Sequence, residues 1–101
     1  MSSVTSALSE VAASLSPDEL TKKVEEIKAA GNERFLKGDY TQAKALYTDA
    51  LSLNPNIVAI YSNRAICELK LEQYGLAIAD ATKDIELDAA FAIGYYLARR
   101  L

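Results

Sequence analysis

Few side chains in this sequence could do chemistry. Asp80, Asp84 and Asp88 stand four residues apart, so on a helix they share one side and present three carboxylates in a row. Hard cations such as calcium take six to eight oxygens from a loop able to wrap around the ion. A straight helical row has no such loop, and the spacing reads instead as a solvated acidic face. Cys67 is the only cysteine, and the chain has no histidine to activate it. It reads as a small core residue in the middle of a helix. Without a histidine or a second cysteine, zinc sites built from His and Cys clusters are excluded. Ser-His-Asp and Cys-His arrangements go the same way. The sequence therefore predicts no catalytic residue, no metal, no cofactor and no enzyme activity. Tyr95 and Tyr96 offer rings on which bases could stack, but tyrosines are ordinary packing residues in helices. Eleven Lys and Arg against fourteen Asp and Glu, a net charge of −3, oppose a nucleic-acid partner.

The elements that must position any functional group come next. The 101 residues make one domain, half hydrophobic and a quarter charged, in the globular range. No stretch approaches the roughly 18 consecutive apolar residues that cross a bilayer, so no membrane partner is expected. Residues 1–16 are rich in Ser and Ala, and no Lys or Arg precedes Lys22. Neither a secretory signal nor a mitochondrial presequence is built that way, and the expected compartment is the cytosol or the nucleus. Val4, Ala7, Leu8, Val11 and Leu15 fall at helical spacing. The first 16 residues are expected to form a flexible or loosely helical leader. The sharper alternative is a short amphipathic segment that covers an apolar surface elsewhere.

The main signal is a repeat of 34 residues. Gly31 pairs with Ala65, Phe35 with Leu69, Tyr40 with Tyr74, and Ala43 with Ala77. The same offset pairs Leu51 with Ile85, Leu53 with Leu87, and Asn54 with Asp88. Small residues at Gly31, Ala43, Ala65 and Ala77 suit the close approach of two antiparallel helices. The large ones at Phe35/Leu69 and Tyr40/Tyr74 fill the gap beside them. The fold class is all-α, built from helix-pair repeats.

Boundary residues agree. Ser16-Pro17-Asp18-Glu19 offers a capping Ser, a Pro at the first helical position and a Glu to complete a capping box. A helix should run from Pro17 to about Lys37, where Gly38-Asp39 ends it and caps a second over Tyr40 to Leu53. Asn54-Pro55-Asn56 stops the chain, because the residue before Pro is pushed out of helical geometry. A third helix is expected over Ile57 to Leu71, a fourth over Tyr74 to Leu87, and a fifth from Asp88 to Leu101.

These residues resemble the tetratricopeptide repeat (TPR) over about Lys22 to Tyr96. Gly31, Tyr40, Ala43, Ala50 and Pro55 match its pattern in the first unit, and Ala65, Tyr74 and Ala77 in the second, where Ala89 stands in place of the Pro. The resemblance implies a TPR solenoid over residues 17–101. Its units are placed at about 24–57 and 58–91, with the first helix of a third at 92–101. The string AAGNERFLKGDYTQAKALYTDAL looks like the first repeat of Hsp70/Hsp90 co-chaperones. YSNRAICELKLEQYGLAIADATKDIELD, followed by GYY, is similar to the repeat domain of the protein phosphatase 5 family.

The co-chaperone family holds the acidic Glu-Glu-Val-Asp tails of Hsp70 or Hsp90 in a carboxylate clamp, using donors on the first helix of each repeat. Lys28, Asn32 and Asn63 match its clamp positions. Lys28 and Asn32 share one face of the first helix, and Asn63 one repeat on should face the same groove. The two cationic positions of the third repeat are occupied by Ile93 and Leu97, which cannot donate to a carboxylate. The resemblance thus implies a protein-interaction module of co-chaperone type with an incomplete clamp. The alternative is the regulatory N-terminal part of a phosphatase 5-like Ser/Thr phosphatase without its catalytic domain. The apolar residues of the fifth helix, Phe91, Ile93, Tyr95, Leu97 and Leu101, have no partner helix in the pattern. That helix is expected to fray or to self-associate. Lys44 reads as exposed, and Ala77 as a close-packed position.

Overall fold

The computed structural model describes residues 13–100, and the side chains of residues 13–89. Four α-helices account for nearly all of it: α1 (Pro17–Leu36), α2 (Tyr40–Leu53), α3 (Val58–Lys70) and α4 (Tyr74–Arg100). Each packs on the next in chain order. The all-α helix-pair fold is the one that the repeat requires.

The first three boundaries follow from local chemistry. The Ser16 hydroxyl accepts from the Glu19 amide at 3.2 Å, and the Glu19 carboxylate accepts in return from the Ser16 amide at 3.4 Å. This is the expected capping box, with Pro17 at the first turn. Gly38 ends α1 in the left-handed region at φ 79°, and the Asp39 carboxylate accepts from the Gln42 amide at 3.2 Å to open α2. Past Pro55, the Tyr61 hydroxyl donates to the Pro55 carbonyl at 2.7 Å and ties the turn to α3.

The turn between α3 and α4 repeats the one between α1 and α2 with a different residue. Glu72, 34 positions after Gly38, adopts φ 61°. A residue with a Cβ pays roughly 1–2 kcal/mol for the left-handed region, where glycine pays little. Glu72→Gly should therefore raise stability by about 0.5–1 kcal/mol, seen as a higher urea midpoint at unchanged slope. A lower midpoint would show that this turn is held by the glutamate itself.

One expected boundary is absent. α4 is a single helix of 27 residues, with no break at Leu87-Asp88. In the first unit Pro55 forces the stop; in the second the corresponding residue is Ala89, followed by Ala90. Alanine is the best helix former, so the chain runs on instead of turning back. The fourth and fifth helices of the sequence reading are one.

The core lies between the helices of the first unit and α3. Val24, Ala43, Tyr47, Ala50, Leu51, Ile60 and Cys67 are buried together, with Phe35 and Tyr40 meeting edge-on at 5.6 Å. All four close-approach positions, Gly31, Ala43, Ala65 and Ala77, are buried. A Cβ on Gly31 would lie 2.8 Å from the Tyr47 ring. Nothing larger than a hydrogen fits there.

The large residues of the second unit do not behave like their counterparts. Leu69 and Tyr74 are 52% and 57% exposed, rather than filling a gap. Their counterparts Phe35 and Tyr40 pack at the edge of the core cluster. Two polar residues read as solvated are also misplaced: Asp80 is buried in the α3–α4 contact, and Lys44 is mostly covered. Asp84 is half-buried and Asp88 exposed. The leader expected over residues 1–16 lies, for residues 1–12, outside the described residues, as do the side chains of Phe91, Ile93, Tyr95, Leu97 and Leu101.

Candidate functional site

Polar residues of α1 and α3 meet at Asn32. The Tyr47 hydroxyl, rising from α2 beneath them, donates to Asn32 Oδ1 at 2.6 Å. Asn63 Nδ2 on α3 donates to the same oxygen at 3.4 Å. Two donors thus fix the Asn32 carbonyl inward, which leaves its own N–H₂ group to donate elsewhere. Burial pushes the Tyr47 hydroxyl above its usual pKa, so it stays a donor at any physiological pH. Lys28 lies one turn before Asn32 on α1, partly covered and ion-paired with Glu25 at 3.1 Å. Such a surface pair is worth little, and a carboxylate ligand can displace it.

The three residues singled out for a clamp are therefore placed differently. Asn32 and Asn63 are brought together across two helices, and Lys28 joins them along α1. Ile93 and Leu97 lie on the uninterrupted extension of α4, and their side chains are outside those described. A shallow depression lined by Leu15, Glu19, Lys22, Lys23 and Glu26 sits on α1 as well. By helical spacing that is the opposite face of α1 from Lys28 and Asn32.

A second polar cluster, between α2, α3 and α4, is absent from the sequence reading. Arg64 grips Asp80 with two hydrogen bonds of 2.7 Å, from Nε to Oδ2 and from Nη2 to Oδ1. Its Nη1 donates to Thr48 Oγ1 at 3.2 Å, and the guanidinium lies 5.6 Å from the Tyr61 ring centre. One turn further along α3, Glu68 is almost wholly buried, 3.5 Å from Lys44 Nζ. Lys44 also donates to Gln73 Oε1 at 2.5 Å. Burial first, and then the hydrogen bond with Asp80, push the Glu68 carboxyl up to about 7. Glu68 Oε1 is buried with no hydrogen-bond partner, which disfavours the charged form. Burial raises Asp80 too, but the hydrogen bonds from Arg64 and Glu68 outweigh it and hold that carboxyl low.

One signal for this cluster was in the sequence. Asp80 follows the close-packed Ala77 by three residues and Arg64 precedes the core residue Cys67 by three, which puts both on buried sides of their helices. Among the described residues no group of His, Cys, Asp or Glu could hold a metal ion. The acidic row from Asp80 is thus split, its first member serving the helix contact. Cys67 is fully buried, and burial pushes its thiol up to about 11, so it is inert as a nucleophile.

A small residue under an aromatic ring, two helices per 34 residues, and helices packed in chain order decide the repeat class. These are tetratricopeptide repeats. No family model matches the chain. It is 42% identical over 79 residues to human serine/threonine-protein phosphatase 5, covering 78% of this chain and 16% of that protein. It is 42% identical over 71 residues to Caenorhabditis elegans stress-induced-phosphoprotein 1, covering 70% of this chain and 22% of that protein. With Arabidopsis thaliana Hsp70-Hsp90 organizing protein 3 the identity is 44%, over 70% of this chain and 13% of that protein. The TPR chain thus spans less than a quarter of each of these relatives. Its likeness falls on part of a phosphatase and on part of an Hsp70-Hsp90 organizing protein.

Proposed function

We propose that this TPR module holds the terminal carboxylates of an acidic peptide tail, of the Hsp70/Hsp90 kind, between α1 and α3, in the cytosol or the nucleus. The observation that carries the reading is the meeting of Asn32 and Asn63 at 3.4 Å, with Lys28 one turn away. Two amides and one ammonium from separate repeats form half of a carboxylate site. Charge-assisted hydrogen bonds are the strong ones, so these three donors supply most of the affinity. The relative that carries Hsp70 and Hsp90 in its name supports the choice of tail.

The other half is weak for two reasons. Ile93 and Leu97 cannot donate, and unbroken α4 does not turn back toward α1 and α3. A hydrogen bond to a charged group contributes roughly 1.5–3 kcal/mol. Losing even one such contact weakens binding about tenfold or more. Calorimetric titration with a peptide ending in Glu-Glu-Val-Asp should show weak, salt-sensitive binding that Lys28→Ala abolishes. The triple variant Ala89→Pro, Ile93→Lys, Leu97→Arg should bind at least tenfold more tightly, since it both breaks the helix and restores two cations. Tight binding by the unmodified chain, or binding indifferent to Lys28→Ala, would overturn the site.

A second reading, the regulatory part of a phosphatase 5-like protein, rests on the 42% identity to that enzyme. The coding sequence beyond Leu101 distinguishes the two.

A further inference from the structure

The internal repeat shows what belongs on the outer face of α4. Moved back 34 positions, Tyr74, Ile78, Ala81, Thr82 and Ile85 become Tyr40, Lys44, Tyr47, Thr48 and Leu51. On α2 that face meets α3: Lys44 reaches Glu68, Thr48 accepts from Arg64 while itself exposed, and Leu51 is buried. On α4 the same face is open, with Ile78 67% and Ile85 68% exposed beside Tyr74. It has also changed character at one decisive position. Lys44, which needs a carboxylate partner, has become Ile78, while the threonine is kept as Thr82, exposed on α4. The stripe from Tyr74 to Ile85 carries no charge, so it is shaped for an uncharged helix.

The same helix carries a segment of that kind. Residues 89–98, AAFAIGYYLA, contain no charged residue on any side. A helix that is apolar all round belongs in a covered position. In a chain broken at residue 89 it would fold back on the stripe as α3 folds on α2. In this chain the helix is continuous from Tyr74 to Arg100, and two halves of one straight rod cannot meet. α3, with 13 residues, spans about 20 Å, whereas α4, with 27, spans about 40 Å. Antiparallel to α3 from their shared turn, α4 therefore outruns it by roughly half its length.

We infer that two copies of this chain pair antiparallel along α4, about a two-fold axis near Leu87, so that segment 89–98 of each lies on the Ile78–Ile85 stripe of the other. This register sets Ile78 of one copy level with Tyr96 of the other, and Ile85 level with Ala89. The contact is isologous and closes at two copies. It leaves the α1–α3 site untouched.

Sedimentation equilibrium of the full chain, from low micromolar to a few hundred micromolar, should show a reversible monomer–dimer equilibrium. Ile78→Lys with Ile85→Lys changes two exposed positions; it should leave helicity intact and weaken dimerisation at least tenfold. Ala89→Pro supplies the stop that Pro55 supplies in the first unit, lets 90–101 fold back on its own stripe, and should give a monomer of undiminished helicity. Ile78→Cys with Tyr96→Cys gives a further readout that does not depend on refolding. Within one helix those positions are about 27 Å apart, too far for a disulfide, while in the dimer they are level. Mild oxidation should give a covalent dimer, with buried Cys67 uninvolved. A monomer at all concentrations, a dimer insensitive to both Ile78→Lys/Ile85→Lys and Ala89→Pro, or no cross-link would each overturn the inference.

Discussion

Arg64→Ala is expected to cost about 3–5 kcal/mol at neutral pH, the scale for removing one partner of a buried ion pair. The loss arises because Asp80 stays behind: a buried carboxylate, deprived of both 2.7 Å hydrogen bonds, next to the buried Glu68. Thr48 and the Tyr61 ring lose a neighbour as well. Lys44→Leu separates this account from a surface reading. Exposed substitutions usually stay within about 0.5 kcal/mol, but Lys44 faces Glu68 at 3.5 Å, and its loss should exceed that at pH 8. The pH dependence has a definite sign. Glu68 is raised from 4.5 to about 7 in the folded chain, so the native state binds more protons across that window. Stability should fall as pH rises from about 4.5 to 7 and level off above. Asp80 acts oppositely at lower pH: its depressed carboxyl contributes above its ordinary range, and that contribution is lost as pH falls through the folded value. Glu68→Gln should flatten the upper slope. Lys44→Leu should steepen it, because the ammonium opposes protonation. Urea midpoints at pH 5 and pH 8 read all three variants, and a pH-independent Lys44→Leu effect would contradict this wiring.

What the sequence disclosed was mostly local. Ser16-Pro17 with Glu19, Gly38-Asp39 and Asn54-Pro55 each act within a few residues, so the ends of α1 and α2 could be read directly. The close-approach positions were legible through the 34-residue offset, because lack of space is a property of the residue itself. The same offset misled where burial depends on a neighbour. Leu69 and Tyr74 match Phe35 and Tyr40 in type, yet what lies over α2 does not lie over α4. Continuity of α4 was visible in Ala89-Ala90, two strong helix formers where the first unit has Pro-Asn, but expecting a new helix concealed it. The Arg64–Asp80 pair joins residues 16 apart, and acidic spacing alone does not tell an outer face from an inner one. The offset also placed Asn32 and Asn63 in one groove. It did not show that Tyr47, from the helix beneath, would hold Asn32 in place.

That tyrosine links core to site, and the two substitutions at it should separate its roles. Tyr47 is fully buried, with its ring under Gly31 and its hydroxyl on Asn32. Tyr47→Ala should cost about 3–5 kcal/mol, as for other large aromatic truncations, because Gly31 has no side chain to collapse into the cavity. Tyr47→Phe keeps the ring and removes only the donor, leaving Asn32 Oδ1 with the longer 3.4 Å contact from Asn63. A half-buried acceptor so weakened should cost about 1 kcal/mol, the low end of the range for an unsatisfied group. The two variants should differ most in what remains possible. Tyr47→Phe still folds, but its Asn32 amide is free to turn, so affinity for an acidic tail should fall together with stability. Lys28→Ala, at a partly exposed position, should lower affinity and leave the urea midpoint within about 0.5 kcal/mol. If Tyr47→Phe loses stability but binds the tail unchanged, Asn32 is a structural residue and the carboxylate site must be drawn without it.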